Sequence, residues 1–164
     1  MNERAYKMTY DFIAKFKYGK KIINLLNIIF TSLVYITYPL SLIILLLNKD
    51  QRIWKTILIP GISFILISVF RNIVDFPRPY EVYDIRPVIR KDSPGKSFPS
   101  RHVFSAFVIA GTLHNLWPGL GYILLTIASM IAILRVIGGV HFPRDVLFGA
   151  GSGILFSYIG WIFI

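Results

Sequence analysis

Long apolar runs constrain this chain more than any other feature. They fall at 22–47, 54–70, 102–116, 120–138 and 145–164, each with at most one Asp, Glu, Lys or Arg. A helix needs roughly 20 apolar residues to cross a bilayer core about 30 Å thick. Within that layer no water satisfies the backbone, so a spanning segment must bond internally as a helix or join a closed barrel. The expected fold is all-α: one polytopic transmembrane helix bundle of about five spans, a single domain over residues 1–164.

The first run would be about 39 Å long as a helix, so tilt or a bend near Pro39 is expected to absorb the excess. Pro60-Gly61 is a tolerated irregularity in the second run. Residues 71–101 carry Pro77, Pro79, Pro87, Pro94 and Pro99, which argues against one regular helix there. Trp117-Pro118-Gly119 reads as a tight turn. Gly149, Gly151 and Gly153 are expected to let a neighbouring backbone approach the last span. Residues 1–21 interleave Arg4, Lys7, Lys15, Lys17, Lys20 and Lys21 with Tyr6, Tyr10, Phe12, Ile13 and Phe16. That pattern predicts a basic amphipathic segment on the membrane surface. The first apolar run is too long for a signal-peptide core, so no secretory leader is expected.

Composition narrows the chemistry. The chain has no cysteine, which excludes disulfides, thiolate catalysis and cysteine-bound zinc. Its net charge of +10 would suggest nucleic acid in a soluble protein. In an embedded chain with cations at span ends, it points to lipid headgroups or a phosphorylated lipid instead.

Three short segments carry the candidate chemistry: Arg71-x6-Arg78-Pro79, Pro99-Ser100-Arg101-His102 and Arg135-x5-His141-x3-Asp145. With five alternating spans, the 71–101 and 135–145 segments lie on the same membrane face. Ionisable residues beside spans are costly and call for a functional reading. Phosphoryl transfer spreads negative charge over the phosphate oxygens, so fixed donors should surround them. Arg71, Arg78 and Arg135 each offer a planar fork matched to phosphate. Ser100 adds a hydroxyl, and the backbone near Arg101 and His102 adds donors at a helix start. A neutral imidazole can act as nucleophile when a carboxylate orients its other nitrogen. Asp145 follows His141 by four residues, the spacing of one helix face. His102 can protonate a leaving oxygen.

These segments resemble the signature of the type 2 phosphatidic acid phosphatase (PAP2) superfamily: Lys-x6-Arg-Pro, Pro-Ser-Gly-His and Ser-Arg-x5-His-x3-Asp. The resemblance implies that His141 forms a phosphohistidine, Asp145 orients it and His102 is the general acid. It makes Arg71, Arg78, Ser100 and Arg135 phosphate ligands, with no metal or other cofactor. Arg71 stands in place of lysine, Arg101 in place of glycine and Leu134 in place of serine. Arg101 can contact a second phosphate or a headgroup.

The expected activity is metal-independent hydrolysis of a lipid phosphate or diphosphate at the cell membrane. By resemblance the candidates are undecaprenyl diphosphate, phosphatidylglycerol phosphate and phosphatidate. Arg101 and the loop cations favour the first. Two alternatives stay open: a lipid phosphotransferase, and a non-catalytic membrane protein that binds lipid phosphate. Arg86, Arg90, Lys91 and Lys96 either steer anionic headgroups or are simply solvated. His114 reads as structural, Arg144 as a surface cation, and Asp75 as a possible partner for an arginine. Only Lys49, Arg52 and Lys55 lie on the far face. The positive-inside rule would then place the site in the cytoplasm, but the phosphate-binding cations bias that reading and many bacterial relatives act on the outer face.

Overall fold

The computed structural model describes residues 1–89 and 94–164. Arg90 and Lys91, two of the suggested steering cations, lie outside the described residues. Seven helices follow one another among those residues: α1 Glu3–Ala14, α2 Gly19–Leu47, α3 Ile53–Val74, α4 Pro79–Val82, α5 Arg101–Leu116, α6 Pro118–Ile137 and α7 Pro143–Phe163. Helices α2, α3, α6 and α7 are long and apolar enough to cross a membrane. Their outer faces are strongly apolar: Ile36 on α2, Ile65 on α3, Ile123 on α6 and Leu155 on α7 are all exposed. Such faces suit hydrocarbon as solvent. The protein is an integral, multi-pass membrane protein.

Helix α5 is the fifth and central element. At 16 residues it is about 24 Å long, short for a bilayer crossing by itself. It can be short because protein surrounds it: Val103, Phe104, Ala106, Val108, Ala110 and Leu113 are at most 1% exposed. Its chief neighbours are α6 and α7. Trp117 ends α5 and begins α6, with Pro118 at the first helical position, where its missing N–H costs nothing.

Small residues set the α5–α7 contact. A Cβ at Gly149 would lie 2.9 Å from the Ser100 carbonyl oxygen, and one at Gly153 would lie 2.8 Å from Phe107 Cβ. Gly151 differs from the expectation: it is exposed, and a Cβ there meets nothing within 4 Å. Two residues along a helix turn through about 200°, so Gly149 and Gly153 share a face that Gly151 cannot. We expect Gly153→Val to overpack this interface and destabilise the bundle by about 1–3 kcal/mol. Gly151→Val should leave it nearly unchanged. Thermal unfolding in detergent checks the contrast.

The prolines are handled locally. Pro60 cannot donate to the Thr56 carbonyl, and the Tyr38 hydroxyl of α2 takes that acceptor at 3.0 Å. The α2–α3 connection is short. Lys49 is left-handed at φ 53°, and Asp50 accepts from Arg52 through both backbone and side chain.

Candidate active site

The loop ends are built to hold polar side chains under cover. Helix α3 continues past the expected end of the second span and closes with Asp75 in a left-handed conformation. The Asp75 carboxylate takes the backbone N–H of Lys96 at 2.9 Å. Arg71, in the last turn of α3, donates to the Pro99 carbonyl. Arg78 precedes α4, and its backbone N–H donates to Glu81 Oε2 at 2.7 Å. Glu81 also accepts from Gly95. That carboxylate therefore ties the start of α4 to the loop above it. The Arg78 guanidinium donates to the Gly95 carbonyl at 3.0 Å and the Val140 carbonyl at 3.4 Å.

The α6–α7 connection folds back over Arg135. Its carbonyl accepts from the N–H groups of Val140 and His141. Gly139, at φ 75°, supplies the turn. His141 is thereby carried over the end of α6 and is 1% exposed. Asp145 lies in the first turn of α7, fully buried. Its Oδ2 accepts from Phe142 N–H at 2.9 Å and from the Ser97 hydroxyl at 2.5 Å. The Asp145 carbonyl accepts from Ser100 N–H at 2.9 Å, which joins α7 to the start of α5.

His141 Nδ1 faces Asp145 Oδ2 at 3.6 Å and Ser97 Oγ at 3.4 Å. Because Ser97 gives its proton to Asp145, its oxygen is an acceptor toward Nδ1. Both neighbours therefore favour a proton on Nδ1 and a lone pair on Nε2. Burial pushes the His141 pKa down to about 3, against the pull of Asp145; Arg135 and Arg78 push it the same way as burial. A histidine lowered from 6.5 takes up its proton only when the pH falls well below the ordinary range, so at neutral pH it is uncharged, with a lone pair available on Nε2. In phosphate-free protein, histidine ¹⁵N NMR should show His141 neutral at pH 5, with a midpoint near 3. A midpoint near 6.5 would contradict this environment.

Arg71, Arg78 and Arg135 are 5%, 2% and 2% exposed, and each guanidinium is far from bulk water. The Ser100 hydroxyl is buried with no hydrogen-bond partner among the described residues. Buried polar groups are normally satisfied, so this orphan, next in sequence to the Pro99 carbonyl that receives Arg71, marks a place for a ligand. His102 is half-buried on the first turn of α5. Arg101 stands apart from the buried set: it is exposed, with its guanidinium 5.6 Å from the centre of the Phe64 ring on α3. His114 lies at the opposite end of α5, against the Pro118 carbonyl and the Tyr122 ring.

Three contacts were not foreseen from the sequence. Ser97 links Asp145 to His141. Tyr6 of α1 is buried and donates to the His141 carbonyl at 3.0 Å, packing on Tyr83 and Phe142. Burial, then the charge of Asp145, raises the Tyr6 pKa far above its ordinary value, so the phenol remains a donor. Arg144 is exposed, as a surface cation should be, yet its Nε lies 3.5 Å from Asp145 Oδ1.

Positive charge and hydrogen-bond donors gathered around one uncharged imidazole suit a phosphoryl group and little else. In a bundle of apolar helices, this places the molecule among integral membrane phosphatases. The chain belongs to the PAP2 superfamily, whose family model matches residues 52–164. Two curated relatives each align with 87% of this chain and 74% of their own length. One is the bacitracin transport permease protein BcrC of Bacillus licheniformis, 25% identical over 150 residues. The other is undecaprenyl-diphosphatase BcrC of Bacillus subtilis strain 168, 26% identical over 146 residues. Among solved structures, Aquifex aeolicus LpxE is similar with a TM-score of 0.69 and 29% identity, covering 88% of this chain and 93% of that one. The PAP2-type phosphatidylglycerolphosphate phosphatase of Bacillus subtilis shares the fold with a TM-score of 0.72. It is 21% identical and covers 98% of this chain and 84% of its own.

Proposed function

We propose that this phosphatase removes the terminal phosphate of a lipid diphosphate through a phosphohistidine on His141, without a metal. The observation that carries the reading is the buried His141 itself. Its Nδ1 is braced by Asp145 and Ser97, which leaves Nε2 to meet a phosphorus atom. Arg71, Arg78, Arg135 and the Ser100 hydroxyl hold the phosphate oxygens. Nε2 attacks phosphorus, and the bond to the leaving oxygen breaks. His102 gives its proton to that oxygen when the leaving group is basic enough to need one. Water then attacks phosphorus and the nitrogen–phosphorus bond breaks; the water's proton passes to His102 where the first step left it neutral and otherwise to the departing inorganic phosphate. Three arginines already supply the positive charge that a metal would bring, and they oppose cation binding.

Undecaprenyl diphosphate is the favoured substrate. A similar protein bears the name undecaprenyl-diphosphatase, and this chain adds Arg101 beside the phosphate-binding serine. Phosphatidylglycerol phosphate and phosphatidate are the competing lipids. The test is phosphate release by detergent-purified protein from all three, with and without EDTA and with an added alcohol. The expected result is release undiminished by EDTA, fastest from the diphosphate, with water rather than alcohol as acceptor. Loss of release in EDTA would contradict the metal-free mechanism. Alkyl phosphate as the main product would mark a transferase. No release from any lipid would favour a binding role.

A further inference from the structure

We propose that Arg101 and the open cavity beside it form the subsite for the leaving half of a lipid diphosphate. Arg101 would hold the lipid-proximal phosphate, and the cavity would hold the first part of the tail. This rests on the phosphatase reading above and adds to it a residue that selects diphosphates over monophosphates.

The cavity has a volume of about 380 Å³ and lies between α2, α3 and α5, lined among others by Tyr35, Tyr38, Gly61, Phe64 and Ser105. It sits among the membrane-spanning segments, and its wall is largely apolar, as a hydrocarbon tail requires. Phe64 forms part of that wall and also carries the Arg101 guanidinium. Helix geometry explains the meeting. Ser105 is four residues after Arg101 on α5, so the two share one face, and Ile109 continues that face along the cavity. Ser100, one residue earlier, is the N-cap of α5, and its backbone N–H meets the Asp145 carbonyl of α7. One helix start thus carries a buried serine at the α7 contact and, on the next residue, an exposed cation beside a cavity among the spans.

Arg101 has reason to take an anion. Among the described residues, no carboxylate pairs with it and no group accepts a hydrogen bond from its guanidinium. Its one recorded partner is an aromatic face, which stabilises the charge but leaves the planar donors for oxygen atoms. Arg101 directly follows Ser100 at the start of α5, so this end of the cavity lies at the helix start that carries the buried serine. A second groove, of about 370 Å³ between α3 and α7, is lined by Leu66, Phe70, Phe148, Ser152, Leu155 and other apolar residues. Neither lining contains a cation, but the first cavity has Arg101 stacked on its wall residue Phe64, and charge complementarity with a phosphate favours that cavity.

The chemistry separates the two lipid classes. With a diphosphate, Nε2 bonds to the terminal phosphorus and the bond from that phosphorus to the bridging oxygen breaks. The electron pair leaves on a lipid monophosphate, whose added charge Arg101 would stabilise. Water later cleaves the nitrogen–phosphorus bond. With a lipid monophosphate the leaving group is an alcohol, which needs a proton from His102 and offers Arg101 no phosphate.

The test compares Arg101→Gln and Gly61→Leu with wild type on undecaprenyl diphosphate, undecaprenyl monophosphate and the five-carbon isopentenyl diphosphate. A Cβ at Gly61 meets nothing within 4 Å, so leucine can enter the cavity wall without disturbing the helix. Arg101→Gln should lower kcat/KM on both diphosphates by about 10- to 100-fold, the loss expected for hydrogen bonds to a charged group. It should change monophosphate turnover little. Gly61→Leu should raise KM about tenfold for the long-chain diphosphate and leave the five-carbon one unchanged. Ser152→Leu, in the second groove, should do neither. Equal effects of Arg101→Gln on mono- and diphosphates, or no effect, would overturn the proposal while the phosphatase reading stands. So would a tail-length effect from Ser152→Leu and none from Gly61→Leu. Absence of turnover by wild type would remove the phosphatase reading itself, and this proposal with it.

Discussion

Replacing His141 by alanine should lower phosphate release from every lipid substrate by at least about 10³-fold, because the group that bonds to phosphorus is gone. The fold should survive. The His141 side chain meets Asp145 and Ser97, and the backbone contacts around it come from its N–H and carbonyl. The N–H bonds the Arg135 carbonyl, and the carbonyl receives Tyr6; both persist in alanine. Lipid-phosphate binding should persist as well, since Arg71, Arg78, Arg135 and Ser100 remain. Turnover and equilibrium binding on the same preparation check this. Residual turnover within about tenfold of wild type would mean that another group is the nucleophile.

Asp145→Asn should cost about 10²- to 10⁴-fold in kcat, as loss of a histidine-orienting carboxylate does in triad enzymes. Two donors now converge on Oδ2, from Ser97 and Phe142. An amide can keep an oxygen at that position, but without the charge that steadies a developing imidazolium-like nitrogen. Turned the other way, it sets its NH₂ against both donors. Either arrangement weakens the bias toward a proton on Nδ1. Ser97→Ala removes one relay and leaves the carboxylate in place, so a loss of about 10-fold is expected, the lower end for groups that orient a functional side chain. The decisive readout is the order of the two effects in kcat with KM little changed. A neutral Asp145→Asn would show that His141 is oriented by other contacts.

The bundle was largely legible because bilayer chemistry leaves few options: apolar length forces helices, and proline, glycine and charge mark their ends. The limits of legibility were local. Helix α5 reads as a marginal span by length, and only its burial among neighbours explains why it can be short. Gly151 looked equivalent to Gly149 and Gly153 until helical phase separated them. In the candidate site, Arg71, Arg78, Ser100, Arg135, His141 and Asp145 are the residues singled out by their chemistry and by the resemblance, and the structure buries all six. Ser97 was not singled out, since its partners lie 44 and 48 residues away and a serine beside a proline-rich turn carries no signal of its own. Tyr6 was hidden in the same way, 135 residues from the carbonyl it bonds. Glu81 carried no signal in the sequence, because the backbone N–H groups it braces, at Arg78 and Gly95, come together only in the fold. Arg101 was legible as a departure from glycine, but its direction toward Phe64 follows only from where α5 begins.

The measurement that reaches the central claim most directly is the chemical identity of the trapped intermediate. Wild-type protein is mixed with a lipid diphosphate carrying ³²P in its terminal phosphate and quenched in base within milliseconds, since phosphohistidine survives alkali and not acid. The account predicts label on protein, located by mass spectrometry at His141, appearing before free phosphate and absent in His141→Ala. Turnover at the normal rate with no labelled protein at any time, or label on a residue other than His141, would contradict it.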